Sequence, residues 1–290
     1  MMDPTLRPRR SALYLPGSKP RAIDKARSLA TDVLILDLED SVLPDEKAEA
    51  RLRVAEAVSA GLFRPREVVI RVNAAGTAWA HDDLAAVRQC NPDAVLLPKV
   101  ETPEAVVDAA RSVGPDTAVW AMIETPRGIL AAPAIAGVAQ MGCLVAGTND
   151  LAAELQAHPD ASRAQIAYAL QQIVLAARAS GIAALDGVFN AYKDADGLAA
   201  ESRHGKALGY DGKTLIHPGQ IPVANAIFGP EPDQLAQASR ILEAFEEAER
   251  AGQGVGVLDG KIVENLHVAA ARRLLAQQTA IEDLEREPAQ

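Results

Sequence analysis

The stretch AVLLPKVETPEAVVDAARSVGPDTAVWAMIETPRGI, residues 94–129, holds one structural unit and the start of the next. An apolar run from Ala94 ends at Lys99, and Thr102-Pro103 opens an amphipathic segment. A second apolar run, from Ala118, ends in Glu124, and Thr125-Pro126 opens another. Threonine is a favoured N-cap, and proline suits the first helical position, where its missing N–H costs nothing. Both runs therefore read as a strand followed by a helix in the same direction. Repetition of that unit gives parallel strands covered by helices.

The pattern extends in both directions. Strand-like runs occur at 12–17, 33–40, 68–73, 94–100, 118–124, 142–150, 182–189 and 212–218. Helical stretches lie near 20–29, 45–60, 81–89 and 162–180. About eight such units favour a closed barrel. An open doubly wound sheet predicts G-x-G-x-x-G after the first strand, which YLPGSKPRA does not supply. The expected fold class is α/β, a TIM (β/α)8 barrel over residues 10–225. Residues 226–290 are expected to form a C-terminal helical extension, with helices near 232–251 and 261–278 around the Gly-rich AGQGVGVLDGK. That tail reads as a lid, or as an arm on a neighbouring subunit.

Of the 290 residues 49% are hydrophobic but only 3% aromatic, a composition suited to parallel strands under helices. No apolar run approaches the ~20 residues of a membrane span, and MMDPTLRPRR lacks the apolar stretch of a signal peptide. Cys90 and Cys143 have no metal-ligand spacing and read as reduced core thiols. A cytoplasmic protein with neither nucleic-acid nor membrane partners is expected. Residues 1–27 hold seven basic residues against Asp3 and Asp24, in a chain whose net charge is −10. This basic end is either a phosphate site or a solvated tail.

The C-terminal ends of barrel strands face the active site. Those ends bring Asp37, Glu39 and Asp40, then Arg71 and Asn73, Lys99, Glu124, Asn149 and Asp150, Asp186, and finally Lys213 and His217. A carboxylate such as Glu124 is costly to desolvate unless a cation pairs with it. Arg71, Lys99 or a metal would serve. Glu124 and Asp150, with no His or Cys cluster beside them, suit Mg²⁺; a salt-bridge network at the barrel rim is the alternative. His217 is a base or a hydrogen-bonded rim residue. Asp186-Gly187 is a functional group or a turn. Lys99 binds an anion or pairs with Glu101 or Glu124.

LYLPGSKPRAIDKA, DVLILDLEDSV, VVIRVN, LLPKVE, MIETPRGI, GTNDLAAEL and KTLIHPGQI follow one another in order. Together they resemble the citrate lyase β-subunit-like branch of the HpcH/HpaI aldolase superfamily, over about residues 10–270. The resemblance implies a barrel enzyme that assembles as a homotrimer or a dimer of trimers. It implies Mg²⁺ on Glu124 and Asp150, Arg71 facing the reacting thioester, and a catalytic Asp259 in the tail segment GQGVGVLDGKIVE. It further implies that backbone N–H groups of Gly147, Thr148 and Asn149 hold the substrate carboxylate, and that Lys19, Arg21, Lys25 and Arg27 contact CoA-type phosphates. The implied substrate is an acyl-CoA or acyl-carrier thioester. Retro-Claisen cleavage of a citryl thioester to acetyl thioester and oxaloacetate is the leading expectation. The alternatives are a malyl-CoA or citramalyl-CoA lyase, a thioesterase, a CoA-independent pyruvate-type aldolase, and a non-catalytic partner subunit.

Overall fold

The computed structural model describes residues 6–286. The chain runs β1 (Ser11–Pro16), α1 (Pro20–Ala26), β2 (Val33–Asp37), α2 (Lys47–Ser59), β3 (Glu67–Arg71), α3 (Ala80–Cys90), β4 (Ala94–Leu97) and α4 (Pro103–Val113). It continues through β5 (Ala118–Ile123), α5 (Pro126–Ala136), β6 (Met141–Ala146), α6 (Thr148–Glu154), α7 (Ala167–Ala179), β7 (Ala183–Asp186), α8 (Ala195–Leu208), β8 (Gly212–Leu215) and α9 (Ile221–Phe228). It ends with α10 (Pro232–Arg250), β9 (Gly256–Leu258), β10 (Lys261–Val263) and α11 (Asn265–Arg286). Two compact units result, one spanning Arg9–Phe228 and a C-terminal one that begins at Gly229.

In the first unit β1 to β8 pair in sequence order, and β8 returns to β1 to close a parallel barrel. Both faces of each strand are buried, with alternate residues serving different layers. Ala12, Val33, Ile35, Val69, Leu96, Trp120, Met122 and Val145 fill the barrel interior. Leu13, Leu34, Leu36, Ile70, Val95, Ile123 and Leu144 face the helices. Both cysteines are buried and free. The strand N-terminal ends are closed by Arg9 on Glu67 (2.6 and 2.8 Å), with its guanidinium over Trp120, and by Arg10 on Asp32 (2.8 and 2.9 Å). β8 approaches so closely there that a Cβ at Gly212 would overlap the Arg9 carbonyl.

The Thr102 and Thr125 side chains cap α4 and α5 by accepting from the N–H groups of Ala105 and Gly128, with Pro103 and Pro126 in the first turn. In the C-terminal unit α10 and α11 pack with the antiparallel β9–β10 hairpin around Phe245, Val263 and Val268. The Gly-rich stretch is thus a hairpin, and the last helix starts at Asn265. Among the described residues, no helix is long and apolar enough to cross a membrane.

Candidate active site

The interior parity of the strands decides which polar residues reach the barrel mouth. Asp37 continues the inward series Val33, Ile35; Arg71 follows Val69; Glu124 follows Trp120 and Met122; Tyr14 follows Ala12. Asp37 and Arg71 are register partners across β2 and β3. Their pair is bidentate: Arg71 Nε donates to Asp37 Oδ1 (2.7 Å) and Nη2 to Oδ2 (2.8 Å). Arg71 Nη1 lies 3.0 Å from Glu39 Oε2 and 3.6 Å from Asp40. The guanidinium stacks 4.8 Å from the Tyr14 ring centroid. Burial alone would push the Asp37 carboxyl up, but the Arg71 guanidinium holds it below the ordinary range. Glu39 has a weaker hold on the same cation, and burial pushes its carboxyl up to about 8.

The loop that carries these groups is tied down. Lys47 Nζ donates to the carbonyls of Leu38 (2.9 Å) and Glu39 (3.0 Å). Asn73 Nδ2 donates to the Leu38 carbonyl and to buried Asp83. Asp83 also accepts from the Asn73 N–H and from Arg51 Nε (2.7 Å). Arg71 is consequently fixed, its guanidinium by Asp37 and the neighbouring loop by Lys47 and Asn73.

Glu124 is 2% exposed. Its Oε1 accepts the Lys99 backbone N–H at 2.7 Å. Lys99 Nζ lies 3.4 Å from Asp150 Oδ1. Burial, reinforced by the charge of Asp150, pushes the Glu124 carboxyl up to about 7 despite the Lys99 N–H. Gly147 passes directly against this carboxylate, and a Cβ there would overlap the Glu124 side chain. Asp150 sits in the first turn of α6, half-exposed.

These residues fit a hard divalent ion. A buried carboxylate with an elevated pKa gains most from added positive charge, and a second carboxylate stands beside it. Among the described residues no group of three ligating side chains exists. Water and substrate oxygens would have to complete the shell around Glu124 and Asp150, which is the habit of Mg²⁺.

The other expected site residues fall in different places. Thr148 and Asn149 belong to α6, whereas the sequence reads as a strand continuing through Asp150. Asn149 Oδ1 accepts from Asn190 Nδ2 at 2.8 Å. Lys19, Arg21, Lys25 and Arg27 are exposed on and around α1, with Lys19 3.8 Å from Glu46. Asp259 lies in the C-terminal unit, at the hairpin turn, and accepts from Arg240 Nη2 at 2.7 Å. His217 Nδ1 accepts the Gly219 N–H at 3.0 Å, and its ring faces Tyr192 at 4.9 Å.

Two strand-end expectations are corrected. Asp186 and Lys213 do not face the mouth; both have the outward parity of Leu215 and are fully buried. Lys213 Nζ bonds Asp186 (3.1 Å) and Glu201 (2.7 Å), and Arg163 Nη1 bonds Asp186 at 2.8 Å. They tie the barrel to its helices. Tyr14 is the mouth residue that strand-end reading misses, because it lies inside β1; its inward parity is the signal.

A sequence profile of the HpcH/HpaI aldolase/citrate lyase family matches residues 10–218. The chain is 47% identical over 274 residues to a (3S)-malyl-CoA thioesterase of Cereibacter sphaeroides, covering 94% of this chain and 96% of the relative. It is 34% identical to the citrate lyase subunit beta of Escherichia coli over 93% of both chains. The crystal structure of CitE from Mycobacterium tuberculosis in complex with magnesium, acetoacetate and coenzyme A superposes with a TM-score of 0.75 and 33% identity, over 93% of this chain and 97% of that one. The chain is therefore a member of the HpcH/HpaI aldolase/citrate lyase family.

Proposed function

We propose that the protein is a Mg²⁺-dependent enzyme of short 3-hydroxy-carboxyacyl-CoA thioesters, with malyl-CoA hydrolysis the first activity and carbon–carbon cleavage of the same substrate type the second. The observation that carries the reading is one barrel mouth holding the buried Glu124, the neighbouring Asp150 and the fixed Arg71. The 47% identity to a malyl-CoA thioesterase, against 34% to a citrate lyase β subunit, supports malyl over the citryl thioester that the sequence motifs favour. The likeness to a protein crystallised with magnesium, acetoacetate and coenzyme A supports the lyase reading.

Both reactions place negative charge on the thioester oxygen. In hydrolysis, water oxygen adds to the carbonyl carbon, the C–S bond breaks, and CoA leaves as a thiolate that takes a proton. In cleavage, the 3-hydroxyl loses its proton and the C2–C3 electron pair passes into a thioester enolate, which is protonated at C2. Arg71 supplies a fixed cation for either oxyanion. Bound Mg²⁺ contributes Lewis acidity, lowering the pKa of the substrate hydroxyl or of water. Glu124 and Asp150 are its protein ligands in this reading. Asp259 moves the proton at C2 or at the leaving thiolate. Backbone N–H groups of Gly147, Thr148 and Asn149 hold the substrate carboxylate, while Lys19, Arg21, Lys25 and Arg27 take CoA phosphates. The C-terminal unit acts as an arm of a homotrimer, or of a dimer of trimers, and brings Asp259 to a neighbour's mouth.

The test is a panel of malyl-CoA, citramalyl-CoA and citryl-CoA with Mg²⁺, read by mass spectrometry. Free CoA with intact hydroxy acid identifies the thioesterase; acetyl-CoA with a 2-oxo acid, an aldehyde acid from malyl-CoA and a keto acid from the other two, identifies the lyase. Glu124→Ala should lower turnover at least about a hundredfold, the scale of losing one transition-state charge stabiliser. Turnover indifferent to chelation and to Glu124→Ala rejects the reading.

A further inference from the structure

We propose that Lys99 is a charge placeholder at the carboxylate pair: its ammonium compensates Asp150 and Glu124 and is displaced when a divalent cation binds, so that Lys99 sets the affinity of metal loading. This rests on the reading of Glu124 and Asp150 as metal ligands.

Lys99 is the second residue after β4 and has φ +51°, a left-handed conformation that a residue with a side chain rarely adopts. Such backbone is held only where the surroundings over-determine it. Here one residue makes two different contacts to two carboxylates. Its backbone N–H binds Glu124 Oε1 at 2.7 Å, a bond that any substitution except proline preserves. Its ammonium stands 3.4 Å from Asp150 Oδ1, a contact that belongs to the side chain alone. Lys99 is the ion-pair partner of Asp150 among the described residues, and the nearby guanidinium of Arg71 is already committed to Asp37 and Glu39.

The two contacts have opposite characters. The N–H bond lies at a buried carboxylate and fixes it. The ammonium ends a flexible stem with a half-exposed side chain, so its departure costs little. A doubly charged ion that takes both carboxylates makes the ammonium redundant and frees a cation at the site's edge. A purely structural rim bridge predicts something else: its loss would loosen Asp150 and leave the metal unchanged or weaker.

The experiment measures Mn²⁺ binding to the full chain, by calorimetry and by the electron-paramagnetic signal of free Mn²⁺, with no substrate present. Lys99→Met removes the charge and keeps the N–H. It should bind Mn²⁺ about two- to fivefold more tightly than wild type, the range available from one half-exposed charge pair. Lys99→Arg, which retains a cation, should remain near wild type. Should Lys99→Met fold poorly, Lys99→Gly deletes the same ammonium and accepts the left-handed backbone, so it should also bind more tightly. Unchanged or weaker binding in the charge-deleted variants overturns the inference. Glu124→Gln separates the two readings: if it binds Mn²⁺ normally, the metal site itself is wrong, whereas if it loses binding while Lys99→Met is unchanged, only the placeholder role fails.

Discussion

Burial beside like charges pushes the Glu124 and Glu39 carboxyls up to about 7 and about 8, while the bidentate Arg71 guanidinium holds Asp37 low. Asp37, the bidentate partner of Arg71, receives most of its stabilisation, and Glu39, which meets one nitrogen of the guanidinium, keeps its proton longer; Glu124 is raised by burial and by the charge of Asp150. The sign of the consequence follows from linkage. For an acid whose folded pKa is raised, the unfolded chain gives up its proton first, so the stability it contributes is present below the ordinary value of 4.5 and is lost as pH rises through the folded value. In chelator the thermal midpoint should therefore fall between pH 5 and pH 9, and Glu39→Gln should flatten that fall. A metal needs the deprotonated ligand, so its affinity runs the other way. Below pH 7, Mg²⁺ binding should weaken by about tenfold per pH unit as Glu124 takes up its proton. Calorimetry at pH 6, 7 and 8 checks this, and a flat profile would remove Glu124 from the ligand set.

Among the elements, the turn from β6 into α6 is tightly packed against the site. Gly147 has no room for a side chain because Glu124 fills the space. Gly147→Ala should displace the Glu124 carboxylate, cost about 1–3 kcal/mol of stability as overpacking does, and weaken Mg²⁺ binding measured by calorimetry. Wild-type affinity in that variant would mean the carboxylate has slack that this packing denies. Much of the element plan is legible in sequence. The Thr102-Pro103 and Thr125-Pro126 pairs cap helices where local chemistry says they should. The eight apolar runs become eight strands because each is buried on both faces. What is not legible is side-chain parity within short strands. β7 and β8 have four residues each, too few for an apolar period to reveal that Asp186 and Lys213 point outward into a buried ion network. The start of α6 is hidden for another reason: Gly147, at its N-cap, makes no side-chain cap bond, so no capping residue announces the helix. Glu124 is legible because it breaks an apolar run; Tyr14 is legible only through its inward parity, because an aromatic inside a strand otherwise reads as core.

The C-terminal unit joins α10 to α11 through a short antiparallel hairpin. Its hairpin turns at Asp259 and Gly260, with φ +50° and +74°, the left-handed pair that a two-residue hairpin loop requires. Val257 and Ile262 are register partners on one face of this ribbon, 65% and 62% exposed, and Leu266 beyond them is 64% exposed. An exposed apolar pair of this kind suits burial against another chain. If Asp259 serves a neighbouring subunit's mouth, the site is divided between chains, and a division can be tested without any structure of the assembly. Glu124→Ala and Asp259→Ala should each be inactive alone. Mixed in equal amounts and allowed to exchange subunits, they should recover about a quarter of wild-type turnover, because random assembly pairs an intact mouth with an intact arm at that frequency in a closed ring. Sedimentation velocity verifies that the mixture keeps the wild-type assembly size, and native mass spectrometry with one variant isotope-labelled verifies that subunits exchange. Recovery with that proportion assigns Asp259 to the neighbour's site. Exchange without recovery would confine Asp259 to its own chain or remove it from the chemistry, and Val257→Ser with Ile262→Ser would then leave turnover unchanged even where it loosens the assembly.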